Sequence, residues 1–277
     1  MELLRPSSAE EATGALGNGS RALAGGTELV PLIRDGLVQA DTLVEVRDVV
    51  PRGIAGTRIG AGTTLAELEI DARIPQALRE ACAQAASPQL RSMGTIGGNL
   101  LQATRCWYWR LQFPCFLHGG DKCHAREGAH REHAVFANER CASAHPSDPA
   151  AALLALGATI RTNRRGLPLA ELYRLPTDDD RSLTTLEEGE VILELDVPAP
   201  EASVYLKAMD RQKWAFPLVG VAAARFADGV RLGLAGVAPV PWRIDSPDDL
   251  DAATPLPGTE YKLEIARALV RRALEAV

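Results

Sequence analysis

LAGGTELVPLIRDG (residues 23–36) and SMGTIGGNL (residues 92–100) are the two stretches that decide the fold. Each contains a pair of glycines, which can adopt positive φ and turn successive backbone N–H groups toward an anionic oxygen. In the first stretch the apolar residues after the glycines have helical spacing, and the partial positive charge at the start of that helix would favour an anion. One glycine pair alone is more often a plain turn, but two such loops together can bind the two phosphates of a dinucleotide.

Neither stretch matches a common nucleotide-binding motif. The chain has no G-x-x-x-x-G-K-[ST] sequence, which argues against an ATP-hydrolysing P-loop. Gly60-Ala61-Gly62 begins like the G-x-G-x-x-G dinucleotide motif, but Leu65 stands in the place of the third glycine. A Rossmann-type site is therefore poorly supported.

The composition is typical of a globular protein. The chain has 277 residues, of which 46% are hydrophobic and 24% charged, and this length allows about two domains. The net charge of −6 argues against binding to a nucleic-acid backbone. The sequence contains no apolar run long enough to span a membrane, and its acidic N-terminal region does not fit a signal peptide. We therefore expect a cytoplasmic protein.

The segment from Cys106 to His145 differs chemically from the rest of the chain. It contains all five histidines and four of the five cysteines, which are Cys106, Cys115, Cys123 and Cys141. The spacing C-x8-C-x7-C-x17-C lacks the short C-x2-4-C pair that structural zinc sites usually contain. Long, irregular spacing fits four loops that each supply one thiolate to a [4Fe–4S] cluster, which the neighbouring aromatic residues would shield from water.

Two other interpretations of these cysteines stay open. The thiols can be buried small apolar groups or free reduced thiols; Cys82, on the apolar face of a predicted helix, is expected to be a core residue. A zinc ion is the second alternative, with His124 beside Cys123 as a mixed ligand.

The predicted secondary structure changes character along the chain. Short strands and helices alternate in the first half, including a helix over residues 74–86 and another over 148–156 that Ser147 or Asp148 would cap. The polar link TNRRGLP marks the predicted domain boundary. The second half is predicted to form an antiparallel sheet and a C-terminal amphipathic helix. These strands and the helix cover residues 190–197, 204–209, 218–226, 230–237 and 260–277.

Taken together, the two glycine loops and the cysteine segment resemble the FAD-binding (medium) subunit of the molybdenum hydroxylases, the group of xanthine dehydrogenase, aldehyde oxidoreductase and carbon monoxide dehydrogenase. The resemblance runs from about Leu3 to the C-terminus. It includes HPSDPAAALLALGA (residues 145–158) and VYLKAMDRQKWAFPLVGVAAA (residues 204–224).

This resemblance implies an α+β fold with two domains. Residues 1–165 would form a two-lobed FAD-binding domain of the vanillyl-alcohol-oxidase (PCMH) type, with subdomains at about 1–52 and 53–165 and an iron–sulfur insertion at 103–145. Residues 166–277 would form a smaller antiparallel sheet-and-helix domain of the carbon monoxide dehydrogenase flavoprotein type.

The resemblance also implies which residues contact FAD. Lys207 can equally be an ordinary lysine at a sheet edge, and the motifs around Ile192 and Lys207 are weaker than the others. The implied FAD contacts are Leu23, Ala24, Gly25, Gly26, Thr27, Glu28, Ser87, Thr95, Gly98, Asn99, Asp148, Ile192 and Lys207.

One departure from the family pattern concerns the cysteine segment. Most members connect the TIGGN and PSD motifs by far fewer residues, whereas Asn99 and Ser147 lie 48 positions apart here. The additional residues resemble the subgroup whose flavin subunit carries an extra [4Fe–4S] cluster, known among aldehyde oxidoreductases and 4-hydroxybenzoyl-CoA reductases. By this resemblance, Cys106, Cys115, Cys123 and Cys141 are the cluster ligands.

The implied function is electron transfer within a complex. In the family, substrate is hydroxylated at a molybdopterin centre on a large subunit, and electrons pass through two [2Fe–2S] clusters on a small subunit to FAD and then to an external acceptor. The chain would be one subunit of a heterotrimer or its dimer, with no catalytic residue of its own. The alternatives are a stand-alone flavin oxidase and a metal-binding regulatory module that has lost FAD.

Overall fold

The computed structural model describes residues 1–17 and 19–277, and the strands in these ranges form three sheets. The first contains β1 (Glu2–Leu4), β2 (Ser20–Leu23) and β3 (Thr42–Glu45), which lie parallel in the order β1-β3-β2. The second contains β4 (Ile54–Ala55), β5 (Arg58–Gly60), β6 (Thr159–Thr162), β7 (Gly166–Pro168) and β8 (Ile192–Asp196), in the order β4-β5-β8-β6-β7. The third is antiparallel, in the order β12-β11-β10-β9, and contains β9 (Ala202–Ala208), β10 (Val219–Phe226), β11 (Gly229–Ala235) and β12 (Trp242–Ile244).

The helices are short apart from the last one. None in the described ranges is both long enough and apolar enough to cross a lipid bilayer. They are α1 (Ala9–Gly14), α2 (Leu29–Arg34), α3 (Leu65–Ile70), α4 (Gln76–Gln84), α5 (Pro88–Arg91), α6 (Ile96–Leu100), α7 (Trp107–Arg110), α8 (Asp148–Ala155), α9 (Leu169–Leu172) and α10 (Tyr261–Ala276). Single 3-10 turns cover Phe116–His118, His124–Arg126 and Pro247–Ala252.

Local sequence sets the limits of the two helices predicted in the first half. In α4 the apolar face carries Cys82, which is completely buried as expected. Helix α8 begins where the Ser147 hydroxyl accepts the N–H of Ala150 (3.0 Å), which confirms one of the two predicted caps. It ends before Gly157, whose positive φ of 66° stops a helix.

Strand β8 joins the second sheet and not the predicted C-terminal sheet. The sequence pattern assigns residues 190–197 to the C-terminal sheet and ends the first domain at residue 165, but β8 pairs with β5 and β6 of the second sheet. A boundary at residue 165 would also cut the β6–β7 hairpin, in which Ile160 pairs with Leu167. Strands β7 and β8 therefore belong to the same sheet as β5 and β6. Alternating apolar and polar residues predict a half-buried strand but do not say which sheet it joins.

Helix α8 joins the two domains. All of its residues are buried, and it packs against α4 on the first domain and against β10 and β11 of the third sheet. Gly233 of β11 has no room for a side chain, because a Cβ there would collide with the carbonyl oxygen of Ala151 in α8. The first residues of α8 are thereby fixed between the domains.

The cysteine segment, residues 103–145, packs against the C-terminal domain. The N–H groups of Val135 and Phe136 donate to the carbonyl oxygen of Val237 (2.8 and 2.9 Å). Both side chains are buried in the hydrophobic core of that domain. These contacts make the segment part of the folded body, although its amino acids are unlike those around it.

Lys262 of α10 adds a buried polar anchor to the same contact. Its ammonium donates to the carbonyl oxygens of Glu132 (3.0 Å), His133 (2.9 Å) and Gly236 (2.6 Å), and the side chain is completely buried. Burial lowers the pKa of Lys262 to about 7, because the charged form loses its hydration.

We predict that Lys262→Met lowers the free energy of unfolding by about 1–3 kcal/mol, since three buried carbonyl oxygens lose their donor. Wild-type stability should also rise between pH 7 and pH 10, because the unfolded lysine binds its proton over that range and the folded one releases it. The variant should lack this rise. Urea denaturation across that pH range measures both effects.

The matched control is Lys213→Met, at an exposed lysine, which should keep both the stability and the pH dependence of the wild type. An identical pH slope in wild type and Lys262→Met would contradict the prediction.

Candidate functional site

The two glycine stretches meet in the structure, backbone against backbone. We call residues 24–28 loop one and residues 95–99 loop two. A Cβ on Gly25 would overlap the carbonyl oxygen of Met93, two residues before loop two. On the other side of the contact, a Cβ on Gly94 would lie 3.4 Å from the hydroxyl of Thr27. The predicted pairing of the two stretches is therefore present.

Loop one presents backbone donors. In the described part of the chain, no residue accepts a hydrogen bond from the N–H groups of Gly25, Gly26 or Thr27, and Gly26 has a positive φ of 71°. Such successive N–H groups are the donors expected for an anionic ligand. The helix that follows, α2, has only six residues, so the donors come from the loop rather than from a long helix.

Loop two differs from the expected second set of free donors. It forms the start of α6, and the Thr95 hydroxyl caps this helix by accepting the N–H of Gly98 (3.2 Å). The N–H groups of Gly97 and Asn99 donate to the carbonyl oxygens of Ala61 (3.0 Å) and Thr95 (2.9 Å). Its glycines instead allow close packing: a Cβ on Gly97 would lie 3.0 Å from the Cβ of Ala61.

Glu28, an expected cofactor contact, has a different partner. Its carboxylate accepts hydrogen bonds from the guanidinium groups of Arg105 and Arg110, both at 2.6 Å, and from the N–H of Ala103 at 3.2 Å. The two ion pairs are largely shielded from water. Glu28 therefore fastens the cysteine segment to loop one, a role that sequence spacing alone does not reveal.

Asn99, Asp148 and Lys207 lie along one path of contacts. The Ser147 hydroxyl donates to the Asn99 side-chain oxygen (2.6 Å), and the next residue, Asp148, accepts from the Lys207 ammonium (2.9 Å) and from the Tyr205 hydroxyl. The side chains of Asp148 and Lys207 are both buried.

Burial also bears on the interpretation of Lys207 as an ordinary lysine. Burial raises the pKa of Asp148, while the Lys207 ammonium opposes that rise. Because its side chain is fully buried, Lys207 is not an ordinary solvated lysine at a sheet edge. Tyr205 completes the network and was not predicted; a buried aromatic in an apolar strand gives no sequence signal for a polar role.

The other expected contacts have separate positions. The Ser87 hydroxyl caps α5, and the short turn between α4 and α5 brings Ser87 close to Gln84, whose carbonyl oxygen accepts from Lys207 (2.9 Å). Ile192 is buried in β8 opposite Thr162. In loop one, Ala24 accepts a hydrogen bond from Arg47 at 3.4 Å.

The four clustered cysteines line one small cavity. We call this the cysteine cavity; its walls include Cys106, Cys115, Cys123 and Cys141, together with aromatic side chains such as Tyr108 and Phe116. None of the cysteines in the chain forms a disulfide. The structure thus brings together four thiols that the sequence separates by long intervals.

Backbone N–H groups point at these sulfurs. The Cys106 sulfur accepts from Tyr108 and Trp109, and the N–H of Ala142 lies 3.4 Å from the Cys123 sulfur. A hydrogen bond from Cys141 lowers the pKa of the Cys123 thiol to about 5, whereas burial raises that of Cys106 to about 11. Backbone N–H donors stabilise thiolate charge, which every metal-bound cysteine carries.

The cysteines are not arranged to bind a single metal ion such as zinc. Over residues 1–17 and 19–277, no three or more His, Cys, Asp or Glu side chains gather closely enough to hold one metal ion. The sulfurs surround a cavity instead. In an iron–sulfur cluster each cysteine binds a different iron, so its ligands stand farther apart than those of a zinc ion.

A larger cavity of about 310 Å³ lies next to the cysteine cavity. Cys106 lines both cavities. Arg105, which pairs with Glu28 of loop one, belongs to the wall of the larger one, as do Trp107, His133, His145 and Phe216. Burial lowers the pKa of His145 to about 3, so this imidazole is neutral at pH 7.

Comparisons with known proteins identify the family of the chain. A family model described as the FAD binding domain in molybdopterin dehydrogenase matches residues 1–200. The aldehyde oxidoreductase FAD-binding subunit PaoB of Escherichia coli K12 is 37% identical over 252 residues, which cover 83% of this chain and 78% of PaoB. The carbon monoxide dehydrogenase medium chain of Afipia carboxidovorans is 38% identical over 109 residues, 34% of this chain and 37% of that one.

Solved structures share the fold. A carbon monoxide dehydrogenase of Hydrogenophaga pseudoflava matches with a TM-score of 0.70 and 24% identity, over 99% of this chain and 96% of that chain. Quinoline 2-oxidoreductase of Pseudomonas putida 86 matches with a TM-score of 0.72 and 19% identity, over 99% and 95% of the two chains. With a matching family model and a relative of 37% identity over most of both chains, this chain belongs to the family of FAD-binding subunits of molybdopterin dehydrogenases and is a subunit of an oxidoreductase.

Proposed function

We propose that the chain is the electron-transfer subunit of a molybdenum hydroxylase complex, and that it holds FAD and a [4Fe–4S] cluster side by side. One observation carries the proposal. Cys106 lines both the cysteine cavity and the larger cavity, so groups bound in the two cavities would share this residue as part of their walls.

FAD fits the site through loop one and the larger cavity. The free N–H groups of Gly25, Gly26 and Thr27 suit the pyrophosphate, and the backbone of Met93 and Gly94, just before loop two, is the surface against which loop one packs. Arg105 pairs with Glu28 of loop one and also lines the larger cavity. We propose that this cavity holds the flavin ring. Through this path we place Asn99, Ser87, Asp148 and Lys207 behind the cofactor as supporting residues, and Ile192 in the core beneath them.

The cysteine cavity would supply the ligands of the cluster. Four thiols line it, backbone N–H groups point at the sulfurs, and aromatic side chains limit the access of water. We assign Cys106, Cys115, Cys123 and Cys141 as one ligand each. Bound there, the cluster would supply one-electron chemistry, and FAD would exchange one electron at a time with clusters and two with an acceptor.

In this proposal the chain's own residues bind the two cofactors, position them and shield them from water. The double ion pair of Glu28 fixes the cysteine segment against loop one, and Lys262 fixes it against the C-terminal domain. The two anchors together hold the distance between the two cofactor sites constant. No side chain of this chain is assigned a proton transfer, because substrate oxidation belongs to another subunit in this proposal.

The relatives' names indicate partners and a substrate class. They are described as an FAD-binding subunit and a medium chain, so we propose a large molybdopterin subunit and a small [2Fe–2S] subunit as partners, in a heterotrimer or its dimer. An aldehyde is the proposed substrate of the complex, by similarity to PaoB. The reduced cysteines suit the cytoplasm.

Gly25→Ala tests the FAD assignment. The added methyl group would push loop one away from Met93, and we predict at least a tenfold loss of FAD per purified chain, with the iron content unchanged. In the complex, aldehyde should then still reduce the centres of the partner subunits, while transfer to the external acceptor is lost. Flavin fluorescence after denaturation measures the FAD.

Gly14→Ala is the matched control, because a Cβ at Gly14 meets nothing within 4 Å. It should keep its FAD. Full FAD retention in Gly25→Ala would contradict the placement of the cofactor at loop one.

Cys115→Ser tests the cluster assignment. Serine at this position removes one of the four proposed thiolates, and we predict loss of most of the iron and of the broad visible absorption of the cluster, with the flavin bands retained. Iron analysis on anaerobically purified chain measures the change.

The control is Cys82→Ser, at the buried cysteine of α4 outside the cysteine cavity. It should keep the iron of the wild type. If Cys115→Ser keeps all of its iron as well, Cys115 is not a ligand.

A further inference from the structure

His133 stands against the cysteine cavity from outside. Its Nε2 lies 3.2 Å from the Cys106 sulfur, although the two residues are far apart in the sequence. The imidazole is 2% exposed, and the same ring lines the larger cavity. It therefore touches a proposed cluster ligand on one side and the proposed flavin cavity on the other.

The hydrogen-bond partners assign the proton on this ring. In the described part of the chain, Nδ1 of His133 is buried and has no partner, whereas Nε2 faces sulfur. A neutral imidazole carries one N–H. A cluster-bound Cys106 is a thiolate whose sulfur can only accept, so the proton then belongs on Nε2, from which it is donated to the Cys106 sulfur.

The ring is also held in place. Its backbone N–H donates to the carbonyl oxygen of His130 (2.8 Å), and its own carbonyl oxygen accepts from Lys262 (2.9 Å). The edge of the ring packs on Trp107, with 4.7 Å between the centroids and an interplanar angle of 86°. A donor fixed at three points keeps its direction toward the sulfur.

We propose that His133 is a positioning residue that donates a hydrogen bond to the sulfur of Cys106 and thereby raises the reduction potential of the adjacent cluster. Reduction adds negative charge to the cluster and its sulfurs, and a hydrogen bond to sulfur stabilises the more negative state. This inference rests on the proposed function, because it needs a cluster bound by Cys106. It goes further in naming the residue that sets the potential.

The test is a potentiometric titration of the anaerobically purified full chain, followed by electron paramagnetic resonance of the reduced cluster. His133→Leu should shift the midpoint potential to a more negative value. At the wild-type midpoint the ratio of reduced to oxidised cluster should fall about tenfold, which is about 59 mV for a one-electron couple. His133→Gln, which keeps an N–H donor, should lie closer to the wild type.

The matched control is His118→Leu. His118 is exposed, stacks on Trp109, and its Nε2 faces a backbone carbonyl oxygen (2.9 Å) rather than a cysteine. Its midpoint should equal that of the wild type. Equal midpoints in the wild type and His133→Leu, at equal iron content, would overturn the inference and leave the proposed function standing.

Iron-free wild-type chain would instead overturn the proposed function, before any titration is made. If His133→Leu loses its iron, a measurement on the wild type decides. Chain labelled with nitrogen-15 histidine should show hyperfine coupling of one histidine nitrogen to the reduced cluster, and the absence of that coupling overturns the inference.

Discussion

The contact between Gly25 and the carbonyl group of Met93 is the constraint on which the candidate site depends. Backbone lies directly on backbone there, and any side chain at residue 25 would separate the two loops. Since the contact fixes loop one, it also fixes the free N–H groups of the loop and the carboxylate of Glu28. Glycine is required at this position for its lack of a Cβ, not for an unusual backbone conformation.

The cysteine segment connects loop one to the C-terminal domain through contacts at both of its ends. Glu28 binds Arg105 and Arg110 at one end of the segment. Val135, Phe136 and the Lys262 ammonium hold its other end. Both cavities lie between these anchors, which hold the segment rich in cysteine and histidine against the rest of the chain.

Much of the fold could be predicted from the sequence. The extents of α4 and α8 follow from apolar spacing and a serine cap, and the juxtaposition of the two glycine loops follows from their shared chemistry. The partner strands of β8 could not be predicted, because an alternating pattern specifies which face of a strand is buried and not which strand it pairs with.

The parts of the site whose chemistry depends on residue type alone could be predicted from the sequence. The parts that depend on contacts with distant residues could not. Four cysteines in one segment indicated a shared site, and the structure lines one cavity with them. The roles of Glu28, Tyr205 and His133 depend on residues that are distant in the sequence. Loop two has the same glycine pair as loop one, yet its N–H groups are used internally, a difference set by packing on Ala61.

The most direct test of the central claim is the cofactor content of the wild-type chain, purified without oxygen together with its partners and then separated from them. The account predicts about one FAD and about four iron atoms per chain, with flavin bands and a broad cluster absorption in the same visible spectrum. A chain that carries FAD but no iron would contradict the assignment of the four cysteines. A colourless chain would contradict the account as a whole.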